Sequence, residues 1–332
     1  MFNAPPEINS IAVITGRDLI GDALIKLPFA RALRRAWPNA RIHWVTSQDV
    51  TAFSTLLRAE TRDLIDEIHE MPAWLGTPVR AATQPAPSFD LVLDLRNRWK
   101  EALHARKIPH RLFLAMALRH ALSDRHPPLF RAKPAHLCDR LLLMVRLAAG
   151  YLPPSNGALP VQPDMLQKAR TILPEGPVYI GLAPGCSTAQ RMWPLERFVD
   201  IARIQTAKGR VPVFILGPQE LHLHEPLAAA LPSALFPLQH PVWQNMKMGL
   251  AQTLAVNKCL ALIVANDSGP GHMMAAVNGA VVSLFGPTTP EKAAPRADRV
   301  AAVCARDYGS TDMTAIPVDA VSRAIDDMLA RA

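Results

Sequence analysis

Four short stretches carry side chains whose types and spacing suit the handling of a phosphate and a hydroxyl. Asp267-Ser268-Gly269-Pro270-Gly271-His272 follows an apolar run and precedes a small-residue segment. Ser268 suits a helix N-cap, and Pro270 an early helical position, where a missing N–H is no loss. Glycines admit a ligand close to the backbone, and a helix N-terminus favours anions. A capped helix alone would need neither Asp267 nor His272. In "LAPGCSTAQRMWP" (182–194), Ser187 and Thr188 offer hydroxyls and Arg191 a fixed positive charge. Together they suit a diphosphate, although a solvated surface arginine satisfies the same pattern. In "LGPQE" (216–220), Glu220 is either a partner for a ribose diol or an acidic first-turn residue.

The fourth stretch, "TGRDLIGDALIKLP" (15–28), lies in the other half of the chain. There Asp22 is either a helix-start carboxylate or a general base for an acceptor hydroxyl. A nicotinamide-binding reading lacks its main support. Gly269–Ala275 reads G-x-G-x-x-x-A, one residue longer than the dinucleotide fingerprint, and Gly16–Gly21 contains no G-x-G.

Such residues need strand-to-helix corners to position them. Apolar runs at 11–14, 40–46, 90–95, 178–184, 211–217, 259–266 and 280–286 read as strands. The later runs are apolar almost without interruption, as in parallel sheets covered on both faces. Helical patterns run from about Ala23 to Trp37, from Leu195 to Lys208 and from Val318 to Ala330. A proline-rich stretch, 151–163, reads as a linker. The expected fold is α/β, with two Rossmann-like doubly wound domains facing a central cleft. The domains are residues 1–157 and 158–317, with the C-terminal helix 318–332 free to return to the first.

A chain of 332 residues with 49% hydrophobic content and a mean hydropathy of +0.09 suits two filled cores. Residues 1–157 hold 21 Lys+Arg against 14 Asp+Glu, net +7 of the total +8. Residues 96–146 alone hold 12 basic residues and three acids, so an anionic partner is expected on the first half. No aromatic interleaving or RNA-binding motif points to nucleic acid. The four scattered cysteines form no C-x-x-C pair and no His cluster stands at ligand spacing, so reduced thiols and no metal site are expected. The N-terminus lacks a signal-like apolar segment, and prolines and glycines break the long uncharged windows 226–246 and 268–290. A cytoplasmic protein with peripheral contact at the inner face of the membrane is the expectation.

Taken in order, "RDLIGDALIKLPFARALRRAWPNARIHWV", "PGCSTAQRMWPLERF", "LGPQE" and "NDSGPGHMMAAVNGAVVSLFGPTTP" resemble glycosyltransferase family 9, the ADP-heptose:lipopolysaccharide heptosyltransferases, which have the GT-B fold. The resemblance implies an inverting, metal-independent transfer from a nucleotide-sugar to an anionic, lipid-linked saccharide by a monomer without cofactor. It implies Asp22 as base, and Ser187, Thr188, Arg191, Asp267, Ser268, Gly269 and His272 around the donor diphosphate. Glu220 would take the ribose and Met248 would lie near the adenine. Arg17, Arg96, Arg98 and Lys100 are the expected acceptor contacts. This chain has Arg191 where the family often has lysine, and Gly271 where the family usually has a bulkier residue, which bears on the sugar pocket. The same motifs also suit another nucleotide-sugar, or an α/β protein that binds nucleotide without transfer.

Overall fold

The structure, a computed structural model, describes residues 7–128, 134–244, 246 and 249–331. The chain divides into two compact units, Met1–Gly157 and Ala158–Ala332.

The first unit contains strands β1 (Ser10–Thr15), β2 (Arg41–Thr46), β3 (Glu67–Glu70), β4 (Phe89–Asp94) and β5 (His110–Ala115), with helices α1 (Ile20–Ala36), α2 (Trp99–Ala105) and α3 (Leu137–Ala149). Its sheet is parallel throughout, in the order β3-β2-β1-β4-β5. α1 begins three residues before its expected start and continues through Pro28. One core cluster joins Ile14, Val45, Val92 and Phe113 to Ala102 and Ala105 of α2. On the other side Trp44 packs edge-on against Phe29 of α1 and against Phe53.

The second unit contains α4 (Pro163–Ile172), β6 (Tyr179–Ala183), α5 (Leu195–Ala207), β7 (Val211–Phe214), α6 (His224–Ala230), α7 (Leu250–Cys259), β8 (Leu262–Asn266), α8 (Gly269–Ala276), β9 (Ala280–Phe285), α9 (Pro290–Ala293), β10 (Val300–Cys304) and α10 (Val318–Ala330). Its sheet is also parallel, in the order β10-β9-β8-β6-β7. Every residue of β6, β8 and β9 is buried, which is why these strands read as unbroken apolar runs. α10 packs into the core of this unit. Val321, Ile325 and Met328 enter the core with Ile201 and Phe198 of α5, and Asp326 pairs with Lys208 and Arg210.

Strands β3, β5 and β10 escape the sequence reading. β3 is "EIHE", half-exposed and polar at a sheet edge, β5 lies in the basic stretch, and β10 is alanine-rich. Among the described residues, no helix is long and apolar enough to cross a membrane.

Candidate functional site

A doubly wound sheet binds ligands beyond the carboxyl ends of its strands, where the winding direction reverses. In the second unit that point lies between β6 and β8. The loops leaving these two strands carry most of the donor-site candidates, and they are cross-braced. Asn266, fully buried at the end of β8, donates from Nδ2 to the Pro184 carbonyl (2.8 Å) and accepts at Oδ1 from the Trp193 amide (3.0 Å). Ser268 Oγ donates to the Gly185 carbonyl (3.1 Å). Ser268 stands at the N-cap of α8 as expected, yet its hydroxyl does not cap the helix, because it is drawn across to the β6 loop.

Arg191 lies over the same junction. One guanidinium nitrogen donates to the Asp267 carbonyl (3.0 Å) and lies 3.4 Å from its carboxylate; the other donates to Thr188 Oγ1 (3.1 Å) and reaches Ser187 Oγ at 3.5 Å. The Asp267 carboxylate also accepts from Thr288 Oγ1 (2.7 Å). Arg191 is therefore no loose surface arginine. Its side chain keeps 27% exposure, so charge held in a fixed place still reaches solvent. His272 is buried in the first turn of α8. Gly271 faces the sheet: a Cβ there would meet Ala265 and Val281 at 3.7 Å and Pro295 at 3.4 Å. These are ordinary van der Waals contacts, so a Cβ at this position would touch the sheet beneath the helix without a clash.

Glu220 leaves β7, the neighbour of β6, and its Oε2 accepts from the Gly217 amide (3.1 Å). Its carboxyl also lies over Gly185, where a Cβ would come within 2.5 Å of Cδ and Oε1. Glu220 thus reaches the β6 loop only because position 185 lacks a side chain. Beside this corner, Leu238, His240, Trp243, Met246 and Gln252 line a cavity of about 320 Å³. Gln239 ties its wall to the β7 end by donating to the Leu216 carbonyl (3.0 Å). Met248 lies outside the described residues.

In the first unit the reversal falls between β1 and β4. Asp22 sits in the first turn of α1, exposed, with no hydrogen bond or ion pair among the described residues. The loop before it is anchored by Asp18, which the sequence reading passes over. The buried Asp18 carboxylate accepts from Thr15 Oγ1 (2.9 Å), Trp44 Nε1 (2.9 Å), Thr51 Oγ1 (3.4 Å) and Lys26 Nζ. Its carbonyl accepts from the Ala52 amide.

The basic candidates behave differently from one another. Arg96 is not presented to a ligand: it is buried, forks onto Asp94 through two 2.8 Å bonds, and donates to the Glu101 carbonyl (3.1 Å). Arg17 is exposed beside Asp49 (3.5 Å), Arg98 is exposed beside Glu101 (3.5 Å), and Lys100 lies over the Trp99 ring. Elsewhere His43, Glu67 and His69 converge on one face of β2 and β3. Spacing along the sequence does not reveal this cluster, because His43 and His69 are 26 residues apart.

Two doubly wound units, each on an all-parallel sheet, are the GT-B fold class, and the solved E. coli ADP-heptose heptosyltransferase II has the same fold, with TM-score 0.68. The chain belongs to glycosyltransferase family 9 (heptosyltransferase), whose profile matches residues 85–316, and it is a glycosyltransferase. It is 26% identical over 312 residues to lipooligosaccharide heptosyltransferase 2 of Haemophilus influenzae, covering 86% of each chain. It is 24% identical over 295 residues to lipopolysaccharide heptosyltransferase 3 of Escherichia coli, covering 81% of this chain and 80% of the other. Among solved structures, a family 9 glycosyl transferase from Veillonella parvula matches with TM-score 0.71, 20% identity and 98% coverage of both chains. The E. coli heptosyltransferase solved with ADP matches with TM-score 0.68 and 18% identity, covering 96% of this chain and 99% of that one.

Proposed function

We propose that this glycosyltransferase moves heptose from ADP-heptose onto an anionic lipopolysaccharide-core acceptor, with inversion and without a metal ion at the diphosphate. The donor belongs to the second unit and the acceptor to the first. The names of the relatives support the sugar and the acceptor, and the ADP in the E. coli structure supports the nucleotide. The observation that carries the reading is Arg191, a cation fixed over the β6–β8 switch point by Asp267 and Thr188.

In this reaction Asp22 takes the proton of the acceptor hydroxyl as its oxygen attacks the anomeric carbon from the face opposite the diphosphate. The bond from carbon to phosphate oxygen breaks, and its electron pair leaves with ADP. Negative charge grows on the diphosphate as that bond lengthens. Arg191, the Ser187 and Thr188 hydroxyls and the start of α8 at Ser268 and Gly269 meet it with groups already in place, which favours the transition state over the ground state. His272 lines the same turn. Glu220 holds the ribose, and the cavity at Trp243 and Met246 takes the adenine.

The exposed apolar residues Leu19, Val50, Trp99 and Leu118 all follow carboxyl ends of first-unit strands, beside exposed Arg17, Arg98, Lys100 and Arg119. Apolar tips among cations suit the surface of an anionic bilayer carrying the acceptor lipid. Cosedimentation with anionic vesicles, lost in a W99A/L118A variant, tests this contact.

The donor is tested by thermal shift with ADP, UDP, GDP and ADP-heptose, with chelator present. A ligand selective for the folded state raises apparent stability by mass action. ADP and ADP-heptose are expected to stabilise the protein. Stabilisation only by UDP or GDP, or only on adding magnesium, would refute the donor or the metal-free diphosphate site.

A further inference from the structure

His43 on β2 and Glu67 and His69 on β3 converge from two adjacent parallel strands. The register pairs His43 with Glu67 and Val45 with His69, so the three side chains fall on one face of the sheet. Their polar atoms form a nearly equilateral triangle: His43 Nδ1 to His69 Nε2 is 3.0 Å, and each of these nitrogens lies 3.2 Å from Glu67 Oε2. The second carboxylate oxygen, Oε1, is held by Arg41. The rings of Phe89 and Trp74 pack edge-on against His43 and His69, 5.2 Å and 6.0 Å away between centroids. This gives the cluster an apolar wall and fixes the orientation of both imidazoles.

Protons alone satisfy such a triangle poorly. Each of the two ring nitrogens carries at most one hydrogen, and an ionised carboxylate carries none. If both nitrogens are protonated and donate to Glu67, two N–H groups face each other across 3.0 Å. If only one is protonated, a lone pair opposes the carboxylate or the other imidazole. At least one of the three contacts therefore lacks a shared proton in every arrangement with an ionised Glu67. A cation above the triangle accepts all three lone pairs at once. Tetrahedral zinc, with ligands at about 2.0–2.2 Å, separates its ligand atoms by about 3.3–3.6 Å. The observed edges of 3.0–3.2 Å need to open only slightly to reach that spacing.

We infer that His43, Glu67 and His69 form a divalent transition-metal site, with zinc the fitting ion and the remaining coordination position open to water. Two imidazoles and one carboxylate are a donor set that such ions prefer over calcium or magnesium. Arg41, holding the other oxygen of Glu67, orients the ligating carboxylate as an outer-shell partner. The ion cross-links β3, a four-residue edge strand, to β2. Its three ligands lie in the first unit, whereas Arg191 and Asp267 lie in the second.

The test uses the full-length protein stripped with chelator and titrated with cobalt(II), a coloured stand-in for zinc. The expected result is a visible d–d band that saturates at one equivalent and is displaced by zinc. H69Q and E67Q should each weaken binding by at least about 10–100-fold, the loss that even outer-shell changes bring. Zinc should raise the melting temperature of the wild type and of neither variant. The shift caused by ADP should be the same in all three proteins, separating this site from the donor reading. Circular dichroism establishes that each variant is folded; should one unfold, the other variant and the wild-type stoichiometry decide the question. No saturable band in the wild type, or a band unchanged in a folded H69Q or E67Q, would overturn the inference.

Discussion

The two units have the same layers and opposite habits at their switch points. The first orders its strands β3-β2-β1-β4-β5, placing the reversal between its first and fourth strands. The second orders them β10-β9-β8-β6-β7, placing it between its first and third. At the second switch point the polar groups are bonded to one another: Asn266 to Pro184 and Trp193, Ser268 to Gly185, Arg191 to Asp267 and Thr188. At the first, the rigid part lies one layer down in Asp18, and the outer carboxylate, Asp22, has no partner among the described residues. A site that must stabilise charge without rearranging benefits from being braced beforehand. A base must keep its lone pair for an incoming proton, so a salt bridge at Asp22 would work against it.

The largest expected effect tests that contrast directly. Asp22→Asn keeps the size of the side chain and removes its ability to take a proton. Transfer should fall by about 10²–10⁴-fold, with ADP affinity and melting temperature unchanged. Near wild-type turnover would reduce Asp22 to a helix-start residue.

Asp18→Ala should strike stability instead. It strands the buried Lys26 ammonium and removes the acceptor of Trp44, and breaking a buried pair costs about 3–5 kcal/mol. Urea unfolding reads this loss, and a change below about 1 kcal/mol would mean that the Asp18 hub is dispensable to the loop.

Arg191→Ala should weaken ADP binding by about 1.5–3 kcal/mol, the usual worth of a charge-assisted hydrogen bond, with transfer falling at least as far. Calorimetry with ADP checks this, and unchanged affinity would show that the bracing at Arg191 serves the fold alone. Gly185→Ala should weaken ADP by less, about 0.5–1.5 kcal/mol, because the atoms its Cβ meets first are the movable end of Glu220.

Acid should weaken both units. Burial by itself would raise the carboxyls of Asp66, Asp90, Asp124 and Asp326, but hydrogen bonds and nearby cations outweigh it and hold each below its ordinary value. A depressed carboxylate stabilises fully above its unfolded pKa of about 3.9, and that stability is lost as pH falls through the folded value. Three of these residues lie in the first unit and Asp326 in the second. The contribution of these four carboxylates should therefore hold level from about pH 5 upward and decline below about pH 4. Asp326→Asn should shrink that decline slightly in urea titrations across pH; a decline of the same size would leave the Lys208–Asp326–Arg210 cluster without weight.

Strand and corner positions were legible wherever burial imposes an unbroken apolar run, as in β1, β6, β8 and β9, because such a run has few other uses in a folded chain. The polar corners could be read for the same reason: glycine, proline and serine after a strand mark a turn into a helix. Edge strands were hidden because they are half-wet and carry charge, as "EIHE" does. Arg96 lies in a basic stretch that reads as surface, and only the sheet reveals Asp94 and Glu101 beside it.

The sequence by itself determined two α/β units, the polar loops between their strands and helices, and the family, since each rests on local patterns of residue type along the chain. Tertiary structure alone decided which of those residues meet. Asn266 reaches Pro184, Arg191 reaches Asp267, and Glu220 reaches Gly185 because β6 lies between β7 and β8, an order fixed by how helices cover the sheet. His43 meets His69 because parallel pairing sets their strands side by side in one register, a relation between distant segments that no local pattern records.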